Sequence, residues 1–239
     1  MDASQTSTLD EVVYPESDGK PRADNTLQWD WMVKIVEELR ELFAGQKVFV
    51  AGDLFWYPVK GDPKTVTAPD ALVAFGRPPG YRGSYKQWEE DGIAPQVVFE
   101  VLSPSNSREE MDEKLRWYDL HGVEEYYLID PDKNQLNGWV RRNDHLTPVY
   151  PIDEFVSPRL KIRFAVNGEV VLYTPDGREF QTREKRIEEL QERLRKVKLA
   201  LRNAQEAART DREQSGKDLL AAKLRELGIN PDDILKSAS

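Results

Sequence analysis

Hydrophobic and polar residues alternate with clear periods along most of the chain. In Leu27 to Phe43, the residues Met32, Ile35, Val36, Leu39 and Leu42 fall at helical spacing. One apolar face results, and Gly45 is placed to stop the helix. Lys47 to Tyr57 is rich in Val and aromatics and predicts a strand, followed by a turn at Gly61 to Pro63. Ala71 to Phe75 predicts a short strand entered through Pro69 and Asp70. Gly76 to Pro95 predicts a long loop, a length that in a compact domain points to function or disorder. Val97 to Leu102 reads as a strand buried on both faces, broken by one charge, Glu100. Ser107 and Glu110 have capping-box spacing and open a helix that runs to about His121, where Gly122 ends it. Strands follow at Glu125 to Ile129 and Leu136 to Arg141, with shorter ones near Leu146 to Tyr150, Leu160 to Phe164 and Val170 to Tyr173.

Past Thr182 the pattern changes. Glu, Lys, Arg, Leu and Ala dominate, and Ile187, Leu190, Leu194, Val197, Leu201, Ala204 and Ala208 recur at alternating steps of three and four. That is a heptad seam of about three repeats. Gly216 is expected to interrupt it, leaving a short helix from Asp218 to Leu227 before Pro231. The first residues, Met1 to Asn25, are polar and aperiodic and read as a tail.

Composition narrows the chemistry. The 239 residues include no cysteine, which excludes disulfides, thiolate zinc sites and cysteine nucleophiles, and only two histidines, which argues against a zinc hydrolase. No apolar run approaches the roughly 20 residues that cross a bilayer. The N-terminus lacks a basic start and an apolar centre, so the expectation is a cytoplasmic protein without a membrane segment. The net charge of -9 is unlike that of a dedicated duplex binder, so contact with nucleic acid would be local or metal-mediated.

Two carboxylates stand out against this background. A lone Glu100 in Val-Val-Phe-Glu-Val-Leu costs several kcal/mol, on the order usual for a buried charge, unless it is paired or binds metal. Asp70, taken alone, is compatible with a simple turn before its strand. Two strands that each carry one carboxylate near an end can hold a Mg²⁺ ion, which takes one or two carboxylates and completes its octahedron with waters and substrate oxygens. Phosphodiester hydrolysis also needs an activated water and stabilisation of developing charge. Lys114 is the candidate, because Met111, Lys114, Leu115 and Tyr118 share one helical face. A lysine snorkelling to water explains the same spacing.

Other residues carry weaker signals. Glu38 lies beside the apolar face of the first helix and reads mainly as a solvated flank charge. Asp53 sits in the aromatic strand, on the face of Phe49, Phe55 and Tyr57, as a supporting group or the partner of a base. Ser103 either orients Glu100 or a water, or starts the turn before Pro104. Arg77, Tyr81, Arg82, Tyr85, Lys86 and Trp88 interleave bases and aromatics in the long loop. That pattern suits a nucleic-acid strand, although Glu89, Glu90 and Asp91 oppose it, and a structured surface loop fits equally. Arg141 and Arg142 read as a solvated strand end.

Pro69-Asp70, Glu100-Val101-Leu102-Ser103-Pro104, Lys114, Tyr118 and Gly122-Val123-Glu124-Glu125-Tyr126-Tyr127 together resemble the Uma2 family, formerly domain of unknown function 820, of the PD-(D/E)xK nuclease superfamily. The resemblance spans about Tyr14 to Pro175. It implies an α/β fold with a restriction-endonuclease-like core, a mixed central sheet flanked by helices, to which the heptad pattern adds a C-terminal α-helical coiled coil. The implied division is a polar tail over 1–25, a nuclease-like domain over 26–178 and a coiled coil or helical tail over 179–239. It further implies a metal-dependent endonuclease hydrolysing phosphodiester bonds of DNA. Asp70, Glu100 and Lys114 would be catalytic, and Asp70, Glu100 and the main-chain carbonyl of Val101 would hold Mg²⁺ or Mn²⁺; superfamily members sometimes also supply an acid from the first helix, where Glu38 stands. The superfamily's strand lysine would fall at position 102, which is Leu here; in this family it comes from the following helix, where Lys114 stands. The alternative is a weakly active or inactive nuclease-fold scaffold. The coiled coil would then form a homodimer or higher oligomer, or recruit a partner.

Overall fold

A computed structural model describes residues 12–19 and 23–228. Most of the expected N-terminal tail, and the stop at Pro231, lie outside the described residues. The chain divides after Thr182 into two compact units.

The first unit is built on a six-stranded sheet. Its strands are β1 (Val48–Ala51), β3 (Ala71–Phe75), β5 (Val97–Val101), β6 (Glu125–Asp130), β7 (Gln135–Arg142) and β8 (His145–Pro148), in spatial order β1-β3-β5-β6-β7-β8. All pairings are antiparallel except β5 with β6. That parallel pair needs a crossover, and α2 (Arg108–Leu120) supplies it. The sheet is therefore mixed. β2 (Trp56–Tyr57) and β4 (Tyr85–Lys86) form a small parallel pair, and β9 (Arg163–Val166) and β10 (Val170–Tyr173) form a hairpin.

Alternation along β5 sorts the core into two layers. Val97, Phe99 and Val101 join Met32, Ile35 and Leu39 of α1 (Thr26–Leu42), together with Phe164 and Leu172 of the hairpin. Val98 joins Met111 and Tyr118 of α2, with Trp56, Tyr85 and Tyr126. Glu100 has the parity of Val98 and so belongs to the α2 side.

Several expectations change. The predicted strand from Lys47 to Tyr57 breaks after Ala51. Gly52 passes so close to the next strand that a Cβ there would lie 2.9 Å from the Asp70 carbonyl and from Val36, and Asp53 turns through φ +49°. Asp53 therefore does not share a strand face with Phe49, Phe55 and Tyr57. The long loop is ordered by β4 and a single 3-10 turn, Gln87–Glu89. The strand expected at Leu160 to Phe164 is shifted to Arg163–Val166.

The Ser107 hydroxyl caps α2 by accepting from Glu110 N, but the Glu110 carboxylate reaches the Asn106 amide, so only half of the capping box forms. Arg141 is not a solvated end. It donates to the carbonyls of Val123 and Asp119 and pairs with the Asp119 carboxylate at 3.1 Å, clamping the end of α2 to β7.

Among its described residues the second unit is one helix, α3 (Arg183–Glu226), with no buried residue. It runs through Gly216 without a break, contrary to the expected interruption. A single glycine costs only about 1 kcal/mol in a helix interior, less than the many flanking turns supply. Among the described residues no helix is long and apolar enough to cross a membrane.

Candidate metal centre

The register of the sheet builds the site. Ala71 pairs with Phe99 across the antiparallel β3–β5 ladder, so one step back sets Asp70 opposite Glu100. Glu100 is held by α2, which follows it directly in the chain. Lys114 Nζ donates to Glu100 Oε2 at 2.9 Å, and the Tyr118 hydroxyl donates to Glu100 Oε1. These are the positions i and i+4 of one helical face. Asp70 Oδ2 accepts from Val101 N at 2.6 Å, while the Val101 carbonyl accepts from Gln28 Nε2 at 2.9 Å. Asn25 caps α1 by accepting from Gln28 N, and the Gln28 side chain also accepts from Asp24 N, so the start of α1 is locked onto the end of β5.

Electrostatics follow from this enclosure. Burial, then the neighbouring Glu100 carboxylate, hold Asp70 well above its ordinary value of 3.8, and Asp53 adds in the same direction. Burial works to lower the Lys114 ammonium, but the charges of Glu100 and Asp70 outweigh it and hold it above its ordinary value. Burial and Glu100 push the Tyr118 phenol well up, so it remains a neutral donor. Two carboxylates thus face one ammonium in a poorly hydrated place. A divalent cation would relieve that imbalance.

The donor set suits a hard cation. Among the described residues no group of three His, Cys, Asp or Glu side chains could hold a metal ion, so two carboxylates are what the side chains offer. The Val101 carbonyl keeps a second lone pair beside its bond to Gln28. A polar cavity of about 310 Å³ adjoins the site, lined in part by Asp24, Gln28, Asp53, Glu110 and Lys114. Gln28 had no signal in the sequence beyond its place in the first turn of α1.

The weaker candidates separate. Glu38 is neither at this site nor solvated. It is buried, pairs with Arg178 at 2.8 Å and accepts from Gln181 N, tying α1 to the segment after β10. Ser103 donates to Asp24 rather than to Glu100. Asp53 lines the polar cavity and, with Asp70, a smaller one of about 190 Å³. The cations of the long loop are spent on its own acids. Arg77 pairs with Asp91, Arg82 with Glu90 and Lys86 with Glu89. Tyr85 is buried and donates to the Ile93 carbonyl, Trp88 packs on Tyr14, and Tyr81 is left 93% exposed. The structured-loop reading therefore has the better support.

Comparison with known proteins bears on the same region. The family model described as "Uma2: Putative restriction endonuclease" matches residues 17–162. The chain belongs to the Uma2 family. The Uma2 match includes Asp70, Glu100, Lys114 and Tyr118. Among solved structures, the chain resembles a "putative nuclease belonging to DUF820" from Anabaena variabilis, with 17% identity and a TM-score of 0.43 over 56% of this chain and 72% of that one. No curated protein matches this Uma2 chain.

Gly52 gives the Uma2 site a local test. Gly52→Ala must displace the Asp70 carbonyl, a backbone atom with little freedom. The expected result is a loss of about 1–3 kcal/mol in chemical denaturation, as for other overpacked interiors. Unchanged stability would show that the strand end yields freely.

Proposed function

We propose that the chain is a metal-dependent endonuclease that hydrolyses phosphodiester bonds of DNA, with Asp70 and Glu100 as ligands of Mg²⁺ or Mn²⁺. The observation that carries this reading is the buried Glu100 carboxylate opposed by the half-buried Asp70, with Lys114 2.9 Å from Glu100. Membership of the family described as "Putative restriction endonuclease" supports it. The bound ion would polarise a phosphoryl oxygen and make an attacking water more acidic.

The chain's own groups have definable parts in this scheme. The Val101 N–H aims the Asp70 carboxylate, and Tyr118 aims Glu100. Gln28 steadies the Val101 carbonyl, the third ligand in this reading. Lys114 stays protonated and acts by orienting the attacking water and stabilising charge on the phosphate, not as a base. The acidic surroundings of the site disfavour a bare phosphate, so substrate binding should depend on the cation.

The test is plasmid relaxation with and without metal. Supercoiled DNA should be nicked in Mg²⁺ or Mn²⁺, lose all nicking on chelation, and regain it when metal returns. Nicking that persists in excess chelator would refute the metal dependence.

A second reading is a nuclease-fold scaffold that assembles through α3. The continuous helix with its exposed heptad seam favours it. Both readings can hold together, with α3 as the coiled-coil assembly element and a homodimer as one outcome.

A further inference from the structure

The seam of α3 has flanks that restrict what can cover it. With Ile187, Leu194, Leu201 and Ala208 at a, and Leu190, Val197, Ala204 and Asp211 at d, the flanking e and g positions hold Glu184, Arg186, Gln191, Arg193, Lys198, Ala200, Gln205, Ala207, Arg212 and Gln214. Four of these ten are cations, and Glu184 in the first turn is the one acid among them. Apart from Glu184 and Asp211, the acids of the heptad stretch lie off the seam and its flanks, and Glu192, Glu206 and Glu213 are already engaged. Glu192 pairs with Arg195 and Lys196, Glu206 with Arg202, and Glu213 with Arg209. Those pairs sit on the far side of the helix from the seam. Arg193, Lys198 and Arg212 belong to none of them.

A second copy meets like charges at the middle of the seam. In a parallel pair each g residue meets the e residue five places on in the partner, which sets Arg193 against Lys198. In the antiparallel register that aligns the seam, e meets e and sets Lys198 against Lys198 at its middle, while Glu184 meets Arg212 at its ends. Like charges across the seam are destabilising, while an acidic residue at each place would be attracted.

We propose that the apolar seam of α3 docks a different amphipathic helix, one with aliphatic residues at its own a and d positions and Glu or Asp at its e and g positions. This rests on reading α3 as an assembly element, and it replaces the homodimer with a heterotypic pair. Apolar residues along the seam are well placed for such a partner: Leu190, Leu194, Val197 and Leu201 are 56%, 53%, 64% and 58% exposed. The acidic flanks of the partner would supply its selectivity, and the aliphatic seam most of its affinity.

The full chain is tested with two labelled four-heptad peptides that share Leu and Ile at a and d. One carries Glu at every e and g position, the other Lys. Fluorescence anisotropy should show the acidic peptide binding at least about tenfold more tightly, with the difference shrinking in high salt. Replacing Arg193, Lys198 and Arg212 together by Glu should reverse the preference. That gain of binding to the basic peptide cannot come from a misfolded chain. Light scattering should give the mass of a monomer for the chain alone.

Equal binding of both peptides overturns the proposal. So does a concentration-dependent dimer that Leu194→Asp dissociates, because a second copy then fills the seam and only the assembly reading survives. Failure of both peptides to bind, with the seam protected from exchange in the isolated chain, would mean that the chain covers its own seam. That outcome defeats the assembly reading as well.

Discussion

Asp70→Asn is expected to abolish heat of binding for Mg²⁺ in calorimetry and to lower plasmid nicking by at least about 10²–10³-fold, the size of effect seen when a charge-stabilising group is removed from a reacting centre. The amide can still accept from Val101 N, so the backbone arrangement should survive. What it loses is a negative ligand, leaving Glu100 alone opposite Lys114. The same substitution should behave differently in the metal-free protein. Burial and Glu100 raise Asp70 above its ordinary 3.8, so the folded state favours the protonated acid. Relative to the Asn variant, wild type then holds its full stability below the ordinary carboxylate range and loses it as pH rises through the elevated value. At neutral pH and without metal, Asp70→Asn should therefore melt above wild type, and Mg²⁺ should close or invert the difference by stabilising wild type alone. The cation competes with a proton for Asp70, so its affinity should rise with pH across the same window. Heat of binding and nicking that match wild type in Asp70→Asn would remove Asp70 from the proposed metal centre. A variant that melts below wild type without metal would instead point to a structural role.

Glu125→Ala is expected to cost about 3–4 kcal/mol in denaturant unfolding, with no direct effect on the residues of the proposed metal centre. Glu125 is 1% exposed and accepts from three groups, the Tyr127 hydroxyl, the Ser157 hydroxyl and Arg159 N. Truncation would leave those donors buried without an acceptor, and they join β6 to the turn that leads into β9. Burial holds Glu125 above its ordinary 4.5 even though each of those hydrogen bonds pulls the other way. The advantage of wild type over the variant should thus be widest below about pH 4.5 and narrow as pH rises through the elevated value. A cost under about 1 kcal/mol would mean that water satisfies the three donors in the variant.

The two carboxylates were legible because each breaks a local pattern. Glu100 is a charge in an otherwise apolar strand, and Asp70 opens the neighbouring strand. Lys114 was legible because helical spacing put it on the face of Met111 and Tyr118. The long-range pairings were not. Glu38 reads as a flank charge until Arg178, 140 residues away, is folded against it. Gln28 looks like any polar residue in a first turn until α1 is docked onto β5. Arg141 reads as a solvated end until α2 closes over it.

The sequence by itself determined the element types, the seam of α3 and the identity of the acidic pair, because these depend on periods of two, three and a half, and about three and a half to four residues, or on a charge placed where neighbours are apolar. Only the tertiary structure decided how the acidic pair is aimed. The β3–β5 register sets Asp70 opposite Glu100, Gly52 lets β1 turn away beside them, and Gln28 and Tyr118 arrive from two different helices. These are contacts between segments far apart in the chain, made by side chains whose local patterns carry no trace of their partners.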